Sequence, residues 1–204
     1  MHVITAIKQQ AKRQDRYSVF VDGKYSFSLS ESGLIESRLA SGQELDGRRL
    51  EDLKKAAGLD KAYGNALRYV AMRQRSEWEM RDYFRRKGID AEAGEQIITR
   101  LRNLDMLNDV SFARAWVANR RLLKATSKRR LRLELAQKHV PSDIIDQVFR
   151  EDEAEVDERD VLRQLVAKKQ VRYPDRQKFM QYLARQGFGF DDIKSVLDEQ
   201  TDEY

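Results

Sequence analysis

Apolar positions along this chain follow a helical beat that returns three times. The stretches Met80-Arg-Asp-Tyr-Phe-Arg-Arg-Lys-Gly88-Ile89, Leu131-Arg-Leu-Glu-Leu-Ala-Gln-Lys-His139-Val140 and Phe179-Met-Gln-Tyr-Leu-Ala-Arg-Gln-Gly187-Phe188 align without a gap. Met80, Leu131 and Phe179 share one column, Phe84, Leu135 and Leu183 stand four residues on, and Ile89, Val140 and Phe188 lie just past a turn. Ile97, Val148 and Val196 follow, each with an apolar neighbour in Ile98, Phe149 or Leu197. A spacing of four places these residues on one helix face, and the glycine or histidine before the third column marks the left-handed residue that ends a helix. Helix, turn and helix recurring about every fifty residues predict a modular array, in which each unit buries little alone and leans on its neighbours.

The flanking pattern fills in each module. Tyr63, Leu67 and Val70 fall on one face of a helix that should fade near Arg75-Ser76, where Ser76 and Glu79 have the spacing of a capping box. A second helix runs from Trp78 to Lys87, and a third carries Ile97, Leu101 and Leu104 inward. The second module opens at Asp109 with Phe112 and Trp116, loops through Ala125-Thr-Ser127 into a helix from Lys128, and ends on a helix with Pro141 in its first turn and Ile144, Ile145 and Val148 buried. The third carries Val161, Leu165 and Val166, breaks at Arg172-Tyr-Pro174 and closes on Ile193, Val196 and Leu197.

The first thirty residues alternate instead. Tyr17–Val21 and Lys24–Leu29 flank Asp22-Gly23, a dipeptide suited to a type I′ hairpin, and Val3–Ile7 supplies a third strand. Ser30 caps a short helix through Arg38, and Asp46 and Gly58 read as the cap and stop of another. The expected fold is mainly α: three tandem three-helix, helix-turn-helix-like repeats in an elongated array behind a small antiparallel sheet. The expected boundaries are 1–58 for the sheet and short helices, 59–108 and 109–152 for the first two repeats, and 153–204 for the third with its acidic tail.

Composition adds a thin core and a large surface, with 36% charged and 41% apolar residues and two prolines. Without cysteine there is no disulfide framework or thiolate metal site, and a reducing cytoplasm is the expected home. Met1-His-Val-Ile-Thr is unlike a signal peptide, and no stretch approaches the roughly 20 apolar residues of a membrane span. The net charge of +5 is small but unevenly placed: nine cations between Arg114 and Lys138 face the single acid Glu134, while acids collect in 151–158 and from Asp191 to Glu203. A cation cluster nearly without local counter-ions points to an anionic partner, either nucleic acid or an acidic protein groove. The residues assigned to this face are Arg120, Arg121, Lys124, Lys128, Arg129, Arg130, Arg132 and Lys138, with Arg85, Arg86 and Lys87 in the first repeat.

Catalytic chemistry has little to stand on. His2 is terminal, and His139 fills the turn column of Gly88 and Gly187. Asp22-Gly23-Lys24 lacks the upstream glycine and the following hydroxyl of a phosphate loop, and the acids from Glu151 to Asp160 lack calcium-loop spacing. No enzyme activity, cofactor or metal is expected. Trp78 and Trp116 read as packing residues. The helices after each turn begin with Asp90-Ala-Glu92, Pro141-Ser-Asp143 and Asp191-Asp192, and carboxylates there would repel phosphates, which disfavours base reading in a DNA groove.

Three segments carry a family likeness: Arg75-Ser-Glu-Trp-Glu-Met-Arg-Asp-Tyr-Phe-Arg-Arg-Lys-Gly88, Leu107-Asn-Asp-Val-Ser-Phe-Ala-Arg-Ala-Trp-Val117, and Arg185-Gln-Gly-Phe-Gly-Phe190 with Ile193. Through them the chain resembles the RecX family of RecA regulators from about Asp60 to Gln200. Two positions depart from the family pattern: Lys124-Ala-Thr-Ser127 lacks the glycine usual before the basic helix, and His139 stands for a glycine. The resemblance implies a cytoplasmic monomer, not an enzyme, that lies in the helical groove of the RecA filament on single-stranded DNA. It also implies damping of ATP hydrolysis and strand exchange in recombination, repair and the SOS response, with at most weak direct DNA binding. A nonspecific DNA-binding protein acting without RecA is the alternative.

Overall fold

The computed structural model describes residues 1–199 and, for 153–155, the backbone alone. The end of the acidic tail, 200–204, and the side chains of Glu153 and Glu155 in the acidic run lie outside the described residues.

Alternation in the first segment becomes a four-stranded antiparallel sheet of order β3-β2-β1-β4, from β1 (His2–Gln10), β2 (Arg13–Val21), β3 (Lys24–Ser30) and β4 (Glu44–Leu45). Asp22 and Gly23 take φ of 51° and 77°, as a type I′ turn demands, and the Asp22 carboxylate accepts from the Val3 amide at 2.9 Å. β4 is a finding beyond the expected three strands; two residues are too few to leave an alternating pattern. The inward positions Ile4, Val19, Val21, Phe27 and Leu29 close on Leu45, Leu50, Leu53 and Ala57.

Ser30 caps α1 (Glu31–Ser37), accepting from the Gly33 amide, and Arg38 ends it with φ 52°. α2 corrects an expectation: capped by Asp46, it runs unbroken from Gly47 to Ala71, through Gly58. Gly58 is on the exposed side, and the buried stripe continues as Ala62, Ala66 and Val70. Packing on both sides of the glycine outweighs its helix cost of about 1 kcal/mol. One helix therefore serves the sheet and the first repeat.

The remaining helices are α3 (Glu77–Arg86), α4 (Ala91–Asn103), α5 (Asp109–Lys124), α6 (Lys128–Gln137), α7 (Ser142–Glu155), α8 (Glu158–Lys169), α9 (Arg176–Arg185) and α10 (Phe190–Glu199), with a 3₁₀ turn at Gln170–Arg172. The protein is thus mainly helical, with three tandem three-helix repeats, α2–α4, α5–α7 and α8–α10, after the sheet. Gly88, His139 and Gly187 hold φ of 66°, 54° and 97°, so the turn column of the sequence is the left-handed column of the structure. Leu104 is a second correction. It caps α4 and is exposed, while Ile97, Ile98 and Leu101 fill the core.

Two compact units form, residues 1–74 with 83–106 and residues 75–82 with Leu107 onward. In the second, Phe112, Val117, Leu131, Leu135, Val148 and Phe149 make one core, and Val161, Leu162, Val166, Leu183, Phe188 and Ile193 another.

One joint is built twice in that unit. Ser76, which caps α3 by accepting from the Glu79 amide, donates its hydroxyl to the Lys138 carbonyl at 3.3 Å. Ser127, which caps α6 by accepting from the Arg130 amide, donates to the Gln186 carbonyl at 2.6 Å. Each carbonyl belongs to the residue just before a left-handed turn residue, His139 or Gly187. The next amides, of Glu77 and Lys128, donate to Asp109 and Glu158 at 2.8 and 2.7 Å. Both serines are fully buried, with the donor and an acceptor site of each hydroxyl in use. Asp60, Asp109 and Glu158 stand 49 residues apart. Asp60 accepts from the amide and hydroxyl of Ser30, the cap of α1, so the helix after the sheet is held by the same column of acids.

Candidate functional site

The basic stretch is delivered by the end of α5 and the whole of α6, across the loop 125–127. Ala125 turns the chain with φ 46°, a left-handed conformation that commonly takes glycine; the unusual loop therefore keeps ordinary geometry at some steric cost.

Counter-ions that are absent nearby in sequence arrive from elsewhere in the fold. Arg121 departs furthest from the expected outward face. Its side chain is one-tenth exposed, and it donates to Asp152 and Glu158, each at 2.8 Å, and to the Thr126 carbonyl. Burial opposes its charge, but hydrogen bonds to Asp152 and Glu158 outweigh burial and raise its pKa further. Arg121 fastens α5 to α7 and α8 and is not presented to a partner. Arg120 lies 4.8 Å over the Trp116 ring and 2.9 Å from Glu134, which also accepts from Trp116 Nε1. Lys138 lies 5.1 Å from the same ring and 3.3 Å from Glu79. Arg132 covers Phe149 and pairs with Asp146 at 2.6 Å. Arg130 reaches Glu134 at 3.7 Å and the Gln186 amide oxygen.

Lys124 and Arg129 are exposed and have no ion pair among the described residues, and Lys128 is half-buried at the start of α6. Arg85, Arg86 and Lys87 are exposed at the end of α3 before Gly88, in the other unit. Trp78 and Trp116 serve packing as expected, and Trp78 stacks on His139 at 4.2 Å, giving the turn histidine a contact that its column alone did not suggest.

The fold assembles two hollows from these cations. In one, Arg120, Lys124 and Arg130 meet Lys168, Lys169 and Tyr182 from the third repeat. The other, shallower, sets Lys128, Arg129 and Arg132 around Leu133 and Ile145. Lys168 and Lys169 were not among the expected residues, because nothing in their own neighbourhood marks the end of α8 as facing the α5–α6 loop. Among the described residues no cluster of His, Asp or Glu could hold a metal ion, and no helix is long and apolar enough to cross a membrane.

Family models match almost end to end: the regulatory protein RecX N-terminal domain over 2–46, and the first, second and third RecX three-helix domains over 62–101, 108–148 and 157–197. The chain is 32% identical to a regulatory protein RecX of Listeria monocytogenes, over 98% of this chain and 76% of that protein. It is 31% identical to one from Bacillus pumilus, over 99% and 79%. A crystal structure of regulatory protein RecX superposes with TM-score 0.77 at 29% identity, covering 97% of this chain and all of that one. RecX from Lactobacillus salivarius gives 0.61 at 25%, covering 69% and 95%.

Proposed function

The chain belongs to the RecX family of regulatory proteins, and on that footing we propose that it regulates the RecA recombinase. It binds the RecA filament on single-stranded DNA in the filament's helical groove and slows ATP hydrolysis and strand exchange, so tuning recombination and repair in the cytoplasm. The observation that carries this reading is the likeness to RecX proteins over the sheet and all three repeats together, in sequence and in fold. The exposed cations support it. Lys124, Arg129 and Arg130 in one unit, beside the half-buried Lys128, and Arg85, Arg86 and Lys87 by themselves in the other, are each assigned to filament carboxylates or DNA phosphates, while Arg121 holds the scaffold. The chain acts as a monomer and contributes no chemistry of its own.

The test is DNA-dependent ATP hydrolysis by RecA titrated with this protein, beside direct DNA binding without RecA. Inhibition well below one chain per RecA, with weak binding to bare DNA, is the expected result. The double substitution Arg129→Glu/Arg130→Glu should weaken inhibition and flatten its salt dependence. Salt-sensitive binding to bare DNA with no inhibition would replace this reading with that of a nonspecific DNA-binding protein.

A further inference from the structure

The hollow between the α5–α6 loop and helices α8 and α9, a cleft of about 420 Å³, is positively charged beyond its internal needs. Among the described residues its one carboxylate, Glu134, is already engaged by Trp116, Arg120 and Arg130. Lys124, Lys168 and Lys169 also line it and have no ion pair among the described residues. An uncompensated trio of lysines in a concave site focuses potential on an anion.

The rest of the lining identifies the kind of anion. Leu123, at the mouth, is 70% exposed, and its neighbour Leu122 is 76% exposed. Two adjacent leucines in water beside lysines fit a partner that brings both carboxylates and an aliphatic side chain. Single-stranded nucleic acid, by contrast, is held by aromatic faces on which bases stack. Among the described residues the one aromatic side chain in this cleft, Tyr182, is half-buried and already stacks on Tyr173 at 4.7 Å. Burial, foremost, also raises its phenol pKa, so the hydroxyl stays protonated and able to donate to a carboxylate.

We infer that this cleft is a docking site for an acidic peptide segment carrying an aliphatic residue, its carboxylates against Lys124, Lys168 and Lys169 and its aliphatic side chain against Leu123. The inference rests on the reading of the basic surface as the partner-facing one, and names the partner chemistry of one part of it as protein.

The experiment is fluorescence anisotropy on the full chain with three labelled probes: a short peptide of Asp and Glu around one central leucine, the same peptide without the leucine, and an oligothymidylate. The leucine-bearing peptide should bind, more weakly as salt rises. Lys168→Glu/Lys169→Glu should weaken it about tenfold. Leu123→Ser, which leaves charge unchanged, should weaken it about fivefold and leave the leucine-free peptide and the oligothymidylate unaffected. Circular dichroism checks that both variants keep their helices. The cleft assignment is overturned if the native chain binds only oligothymidylate or no probe, or if both variants bind the peptide as the native chain does. These results do not depend on RecA, so failure of ATPase inhibition and failure of the cleft are separate outcomes.

Discussion

Ser127→Ala tests the joint that recurs along the second unit. The hydroxyl caps α6 by accepting from the Arg130 amide, and loss of such a cap costs about 1 kcal/mol. It also donates to the Gln186 carbonyl at 2.6 Å from a fully buried position, and a buried carbonyl stripped of its donor costs about 1–2 kcal/mol more. The expected loss is about 2–3 kcal/mol. Asp175, which caps α9 in the same column, accepts from the Lys178 amide at 3.0 Å and is exposed. Asp175→Ala should therefore cost only the cap, about 1 kcal/mol. Ser76→Ala falls between, because its bond to the Lys138 carbonyl is longer, at 3.3 Å. Urea unfolding followed by far-ultraviolet dichroism reads the order directly: with a slope of about 2 kcal/mol per molar, Ser127→Ala should move the midpoint by about 1–1.5 M. Equal shifts for Ser127→Ala and Asp175→Ala would refute the claim that the cap serines join successive repeats.

Three further outcomes follow from the same contacts. Gly88→Ala meets only the left-handed backbone and should cost about 1 kcal/mol, whereas at Gly187 a Cβ would lie 2.6 Å from Ser127 Oγ, so Gly187→Ala should cost at least about 3 kcal/mol in the same unfolding assay. Arg121→Met leaves Asp152 and Glu158 facing each other without their cation and should cost about 3–5 kcal/mol, with partial recovery on adding Asp152→Asn and Glu158→Gln; a loss below about 1 kcal/mol would contradict the fastening role. The hydrogen bond from Arg114 holds the Glu151 pKa down to about 2, so its pairing favours the fold above the ordinary carboxylate pKa of 4.5 and is lost as pH falls from there toward 2. An NMR titration of Glu151 should show that low midpoint in the native chain and a clearly higher one in Arg114→Ala, where the Gln147 hydrogen bond remains.

The repeats and the turn column could be read from the sequence because both are local: a period of four and a residue that tolerates positive φ leave their mark within ten positions. Ser30 and Ser76 showed themselves as caps for the same reason, while Ser127 read only as the end of a loop before its helix. Their second bonds, to Asp60, Lys138 and Gln186, did not, since each spans a turn or a whole repeat. Gly58 misled because its local preference for a stop yields to packing of the stripe around it. The basic cluster was visible as composition, yet its sorting into fastened and exposed cations was not. Arg121 is neutralised by Asp152 and Glu158, more than thirty residues on, and Lys168 and Lys169 join the cleft through the meeting of two repeats.

The change from serine to aspartate at the third cap also bears on whether copies of the chain can join head to tail. Ser76 and Ser127 each offer a hydroxyl proton to the turn of the following repeat, whereas Asp175 puts an acceptor carboxylate in that place. Its carboxylate would face a carbonyl oxygen, and Lys178, in the place of Glu79 and Arg130, would confront Lys87 if the exposed first turn of a second copy approached. Head-to-tail joining of identical copies generates rings or open fibres. A single exchange of hydroxyl for carboxylate thus removes from the third cap the bond that the two serine caps make to the turn of the next repeat.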